Sequence, residues 1–225
     1  EVQAVRDLCQ AASEMNMMVE ANDMGAVSIA SGFGVRFVAG PHLNVYNHGS
    51  LQQLIKHGAC RLVMPLEMQA NLIPGVAAES DVEVEYFAHG KLPLTFSARC
   101  YTARASGLTK KECRHVCFLH ADGMEMRTLD AKDFSTINGI QIMSHHSFTV
   151  IDHLSDLVDF GVDILRLSPQ ADDMTEIIHQ FRLVLDGLKS GNDSLQTLSG
   201  SEAIHEVFCN GYYHGQQGRL WVENP

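Results

Sequence analysis

Basic residues are scarce in this chain. Sixteen Lys and Arg face 27 Asp and Glu over 225 residues, a formal net charge of −11. Phosphate backbones are held by clustered Lys and Arg, so DNA or RNA is not expected as a main partner. Docking on an anionic membrane surface is disfavoured for the same reason. Long apolar runs are missing, which excludes a transmembrane helix, and no signal-peptide pattern opens the chain. Low-complexity tracts are absent. The expected setting is therefore cytoplasmic, where six cysteines read as reduced thiols or metal ligands rather than as a disulfide frame.

Familiar catalytic signatures are also lacking. No G-x-G-x-x-G follows the first strand pattern, and GFGVRF around Gly32 and Gly34 reads as a helix stop leading into a strand. His205 and Glu206 are adjacent, but no second histidine completes H-E-x-x-H. No G-x-S-x-G elbow is present.

What is present is a globular composition, 45% apolar and 19% charged. Short β-branched runs alternate with helical patterns. The strand candidates are Met18–Ala21, Val35–Ala39, Arg61–Pro65, Val82–Ala88, Met124–Leu129, Gly139–Met143 and Val162–Ser168. Helix candidates between them include Val2–Asn16, Asp23–Gly32, Ser50–Gly58, Met68–Glu79, Val150–Phe160 and Asp172–Gly187. Ser50 and Asp172 read as helix starts, and Gly187 and Gly191 as the end of the last long helix. Such alternation implies βαβ units and a parallel sheet. The expected fold class is α/β, a TIM-type (β/α)8 barrel. A closed barrel of this type needs eight strands and ~250 residues, so the first one or two βα units are expected outside this sequence. The reading assigns residues 1–190 to a partial barrel carrying a cysteine-rich loop at 99–120, and 191–225 to a tail that is a loop followed by a short helix.

Functional residues of such barrels gather at the C-terminal ends of strands. AGPHLNVYN offers His42, Asn44, Tyr46 and Asn47 there, with a helix-capping turn as the alternative. MPLEM places Glu67 past another strand end, and RLSPQ places Arg166, Ser168 and Gln170 at the last one. Glu83 and Glu85 fall on one face of their strand. A carboxylate inside a barrel must be paired or hydrogen-bonded, and Arg99 and Arg104 are the nearest basic candidates, leaving a structural ion pair as the alternative. Asn44, Asn47, Glu85, Arg99 and Arg166 are thus the pocket candidates.

The densest chemistry is SARCYTARASGLTKKECRHVC, in which Cys100, Cys113 and Cys117 are spaced C-x12-C-x3-C. Arg99, Arg104, Lys110, Lys111 and Arg114 surround them. Positive charge favours the thiolate that binds metals and partly neutralises an anionic cluster. Zinc and iron–sulfur binding both remain open on these residues. His115 and His120 could complete a Cys3His zinc set, although His115 lies two residues from each flanking cysteine. Cys9 and Cys60 are poorly placed as further ligands, and Cys209 in VFCNGYY is a weak candidate.

The stretches AGPHLNVYN, VEVEYFAHGKLPLTFSARCYTAR, KKECRHVC, TINGIQIMS, DILRLSPQ and CNGY occur in order over almost the whole chain. With them the sequence resembles the UbiV-like family, within the collagenase-like group historically placed among unclassified peptidases. The resemblance implies a TIM-type barrel and a 4Fe–4S cluster. It also implies a UbiU-like paralogue as heterodimeric partner and a role in oxygen-independent hydroxylation of ubiquinone precursors in anaerobic bacteria. By resemblance, Cys100, Cys113 and Cys117 are three cluster ligands, and the fourth comes from the early barrel, before the first residue here. Two alternatives stand beside this reading: a non-catalytic zinc- or cluster-binding partner subunit, and a metal-assisted peptidase.

Overall fold

A change of hydrophobic period at Gly- and Asn-bearing turns divides the chain into helices and strands, and the computed structural model follows that division closely in its first third. It describes residues 2–78, 80–171 and 173–223. Glu79 and Asp172, read from the sequence as a helix end and a helix start, lie outside them. In chain order the elements are α1 (Val2–Glu14), β1 (Val19–Ala21), α2 (Met24–Gly32), β2 (Phe37–Ala39), α3 (His48–Lys56), β3 (Ala59–Val63), α4 (Ile73–Ala77), β4 (Glu83–Phe96), α5 (Tyr101–Ala105), β5 (Met124–Arg127), β6 (Asp133–Asn138), β7 (Gln141–Thr149), α6 (Leu154–Asp159), β8 (Ile164–Leu167), α7 (Met174–Leu185), α8 (Gly191–Ser199), α9 (Ile204–Val207) and β9 (Phe208–Cys209). The fold is mixed α/β. No helix among the described residues is long and apolar enough to cross a membrane.

The chain forms two compact units. The first comprises Glu1–Phe87, Ser155–Arg166 and Tyr212–Gly215. Here β1, β2, β3 and the start of β4 lie side by side and parallel, and β8 pairs with β4. Asp23 starts α2 by accepting the Ala26 N–H, and Asn47 starts α3 by accepting the Ser50 N–H. Ser50, read as a helix start, therefore lies within the first turn. Phe37, Leu51, Leu62 and Ile73 are fully buried in this unit, each contributing about 1.5–3 kcal/mol by leaving water. The parallel strands agree with an incomplete barrel, and a closed TIM barrel is a finer statement than they carry.

The second unit comprises Ala88–Leu154, Leu167–Gly211 and Gln216–Pro225. It departs from the expected βαβ alternation. The rest of β4 pairs antiparallel with β7, β7 with β6, and β6 with β5. The two sequence-read strands in this region are too close for a parallel crossover, which needs a dozen residues or more. The intervening DFSTIN forms β6 instead, and a two-residue turn with Gly139 at φ 64° leads into β7. In this unit α7 is capped by Asp173, which accepts the N–H groups of Thr175 and Glu176.

The tail also differs from its reading. Residues Gly191–Ser199, expected as loop, are helix α8, capped by Ser190, which accepts the Asp193 N–H. Gly191 is therefore the first residue of a helix and not the end of one. It is glycine for a steric reason: a Cβ there would lie 2.3 Å from Asp152 Cα and 2.7 Å from the Ile151 carbonyl oxygen. Gly191→Ala is expected to destabilise the protein by about 1–3 kcal/mol in urea unfolding. Gly187→Asn, in open space at a left-handed φ of 68°, should be nearly neutral. Equal losses for the two would remove the close-approach argument.

Candidate functional site

The sheet of the first unit carries its charge on one face. Cross-strand register sets Glu20 opposite Val38, Val38 opposite Arg61, and Arg61 opposite Glu83. Residues that pair across a sheet share a face, so a row of alternating charge runs over β1, β3 and β4. Glu85, two residues beyond Glu83, lies on the same face. The other face is apolar, with Leu62 and Val84 buried.

Glu85 is 5% exposed and sits between two guanidinium groups. Arg61 Nη1 donates to its Oε2 at 3.2 Å, and Arg166 Nε donates to its Oε1 at 2.5 Å. Arg61 also holds Glu83 through Nε at 3.0 Å and Nη2 at 2.9 Å. Arg166 Nη2 reaches Glu20 at 2.5 Å, and Asn22 Nδ2 donates to the same carboxylate at 2.9 Å. Burial pushes the Glu20 carboxyl up, but the hydrogen bonds from Arg166 and Asn22 and the Arg166 charge outweigh it and hold the group below its ordinary value. The guanidiniums of Arg61 and Arg166 are desolvated in the same network, yet their carboxylate partners raise both pKa values. The result is a fixed ladder of three carboxylates and two guanidiniums.

The sequence-read pocket residues take different places. Glu85 and Arg166 meet in the ladder, so the expected partners Arg99 and Arg104 are corrected to Arg61 and Arg166: cross-strand register, not nearness in sequence, decides the pairing. Arg99 is an exposed residue beyond β4 in the second unit, its backbone N–H donating to Ser97 Oγ. Asn47 is the helix cap of α3, the alternative kept for it. Asn44 has left-handed backbone, φ 54°, closing the short turn Pro41–Leu43. Tyr46 donates to Glu67, and burial followed by that carboxylate pushes its phenol up to about 12. Glu20 and Arg61 were missed, although a charged residue inside VEA and ACRLV breaks otherwise apolar strands and is the signal that could have found them.

The cysteine loop lies in the second unit. Cys100 caps α5, its Sγ accepting the Ala103 N–H at 3.4 Å. Cys113 follows a short turn over Lys110–Glu112, and Cys117 lies in another over Val116–Leu119. All three are half-buried free thiols, and Arg99, Arg104, Lys111 and Arg114 are exposed around them. Between Cys113 and Cys117, Arg114 and His115 both adopt left-handed backbone, φ 48° and 55°, a strain of about 1–2 kcal/mol each for residues with a Cβ. The donor chemistry suits a soft metal or an iron–sulfur cluster. Among the described residues, however, no three of His, Cys, Asp and Glu converge to hold a metal ion. The loop therefore offers thiols of a metal-binding type without a converged site among the described residues. Cys209 lies in β9, fully buried, its thiol directed at the His146 carbonyl at 3.8 Å. Burial pushes that thiol up to about 12, which disfavours the thiolate a metal needs.

Comparison with known proteins gives a consistent frame. The family model described as Peptidase family U32 matches residues 1–223. The chain is similar to "tRNA hydroxylation protein P2" of Bacillus subtilis (strain 168), 25% identical over 141 residues, 58% of this chain and 45% of that protein. It is similar to "Collagenase" of Porphyromonas gingivalis (strain ATCC BAA-308 / W83), 22% identical over 240 residues, 99% of this chain and 52% of that protein. The chain thus spans about half the length of these relatives. No solved structure matches.

The ladder makes two stability predictions. Glu85→Ala leaves two guanidiniums facing each other and is expected to cost about 3 kcal/mol in urea unfolding. Glu83→Ala, at a side chain 51% exposed, is expected to cost less than about 1 kcal/mol. Similar losses would show that Glu85 is not the centre of the network. Glu20 titrates lower in the folded chain than its ordinary 4.5. Its stabilising contribution is therefore present above pH 4.5 and lost as the pH falls through the lower folded value. Glu20→Gln should flatten that acid limb in a pH series of thermal melts, and an unchanged limb would assign it to other carboxylates.

Proposed function

The chain belongs to peptidase family U32, and from that membership and its cysteine loop we propose that it is an iron–sulfur protein of oxygen-independent hydroxylation. One observation carries the reading: Cys100, Cys113 and Cys117 are free, half-buried thiols in one basic loop, spaced C-x12-C-x3-C. The name of the Bacillus relative, a hydroxylation protein, points to the same reaction type. The proposed substrate is the aromatic ring of a ubiquinone precursor and not tRNA, because a net charge of −11 opposes a polyanion. The proposed partner is a UbiU-like paralogue.

In this reading Cys100, Cys113 and Cys117 hold a 4Fe–4S cluster, with the remaining ligand from outside the described residues. Such a cluster, when bound, supplies one-electron transfer. The loop's own residues do the rest. Arg99, Arg104, Lys111 and Arg114, exposed around the thiols, would offset the negative charge of the assembled centre. The strained backbone at Arg114 and His115 fixes the path between Cys113 and Cys117. The ladder around Glu85 keeps the parallel strands in register and holds Arg61 and Arg166 committed to carboxylates.

The test is anaerobic purification of the full-length protein with its paralogue, followed by iron and sulfide analysis. A brown protein with about four irons and four sulfides per chain is expected, and Cys113→Ala should remove both the iron and quinone production without O2. A colourless protein loaded with zinc, or unchanged quinone output from the variant, overturns the reading. Peptidase activity that survives both a chelator and the Cys→Ala changes would assign the chain to proteolysis instead.

A further inference from the structure

The second unit contains a cavity of about 330 Å³ that the cysteine loop does not share. Its lining includes His89 from β4, Ser147 from β7, Glu176 and Ile177 from α7, and Glu202 and Phe208 from the segment after α8. His89 is 2% exposed and lines this cavity. Its Nδ1 has no hydrogen-bond partner among the described residues. Directly across the β4–β7 ladder, Thr149 Oγ1 is also buried without a partner among the described residues. An orphaned buried polar group costs about 1–3 kcal/mol, so two side by side call for an explanation.

The surroundings define what could supply it. The rings of Phe181 and Phe208 stand edge-on to the imidazole, with centroids at 5.9 and 6.1 Å. Burial lowers the His89 pKa to about 4, so at neutral pH the imidazole is uncharged and has one nitrogen free to accept. Asp173, Glu176 and Glu202 bring three carboxylates to the lining, and among the described residues no Lys or Arg lines it. Lys189 reaches Thr197 Oγ1 at 2.6 Å, but its ammonium is also tied to Gln180 at 2.8 Å. Asp173 is used as the cap of α7, and Glu176 accepts Gln180 Nε2 at 2.5 Å. The exposed carboxylate of Glu202 has neither role. A field of this sign selects cations. A bare metal ion is disfavoured, because no three His, Cys, Asp or Glu side chains converge among the described residues.

We propose that this cavity binds a small organic amine bearing a hydroxyl at its far end: the ammonium at Glu202, the apolar body against Ile177 and Phe208, and the hydroxyl donating to the buried His89. This site is independent of the iron–sulfur reading and stands or falls without it.

The probe is tyramine, titrated calorimetrically into the full-length protein at neutral pH. Two isosteres bracket it: 4-hydroxyphenylacetate reverses the charge, and 2-phenylethylamine lacks the hydroxyl. Tyramine is expected to bind about tenfold or more tighter than the anion and about fivefold or more tighter than the amine without the hydroxyl. Glu202→Gln should weaken both amines. His89→Leu replaces an orphaned polar group by an apolar one, so it should fold, and it should erase the preference for tyramine over 2-phenylethylamine. In the unsubstituted protein, tyramine should shift the ¹⁵N resonances of the His89 imidazole, a readout that does not depend on the variant folding. No binding at roughly 10 mM tyramine, equal binding of the anion, or unmoved His89 resonances would overturn the site.

Discussion

One constraint organises the first unit: a carboxylate at the centre of a parallel sheet must be met by positive charge. Glu85 is nearly out of water, where an unpaired carboxylate would be prohibitive. The sheet answers with Arg61 from the neighbouring strand and Arg166 from β8, residues far apart in the chain. Each guanidinium is in turn held by a second carboxylate, Glu83 or Glu20. A strand slipped by one residue would turn its charge into the apolar face. The ladder thus specifies register more than it adds stability, since desolvation offsets much of the attraction within such pairs.

The second unit is organised differently. Its antiparallel strands do not repeat the βα alternation, and its two chemical features are of different kinds. The cysteine loop is half-exposed and carries backbone strain between Cys113 and Cys117. The cavity at His89 is lined by that buried imidazole, whose Nδ1 has no partner among the described residues. Both are departures from the rule that local preferences agree with the fold, and such departures concentrate at functional positions. Two proteins to which the chain is similar, one named a tRNA hydroxylation protein and one a collagenase, carry names of different chemistry. Function therefore rests on the sites.

Part of this was legible in residue order. Asp23 before an apolar periodic run marks a helix start, and Asp23 does cap α2. The one-face placement of Glu83 and Glu85 follows from strand period alone, and so does the need for a partner. The C-x12-C-x3-C spacing is visible without coordinates. Other features were not legible. DFSTIN has few apolar residues and is absent from the strand candidates, and it became β6 only because β5 and β7 lie on either side of it. The chain after Ser190 reads as loop because Gly, Asn and Asp open it, yet Ser190 caps it and Gly191 packs on Asp152. His89 looks like any histidine in a strand.

The sequence by itself determined the alternation of helices and strands in the first unit, the charge balance that disfavours polyanions, and the clustering of three thiols. These are local properties, set by residue spacing and composition within a few turns of chain. Tertiary structure alone decided that Arg61 and Arg166, rather than Arg99 or Arg104, neutralise Glu85, and that His89 is buried beside a cavity with no partner for its Nδ1 among the described residues. Those outcomes depend on which distant strands become neighbours and in what register, a matter settled by the simultaneous packing of many residues.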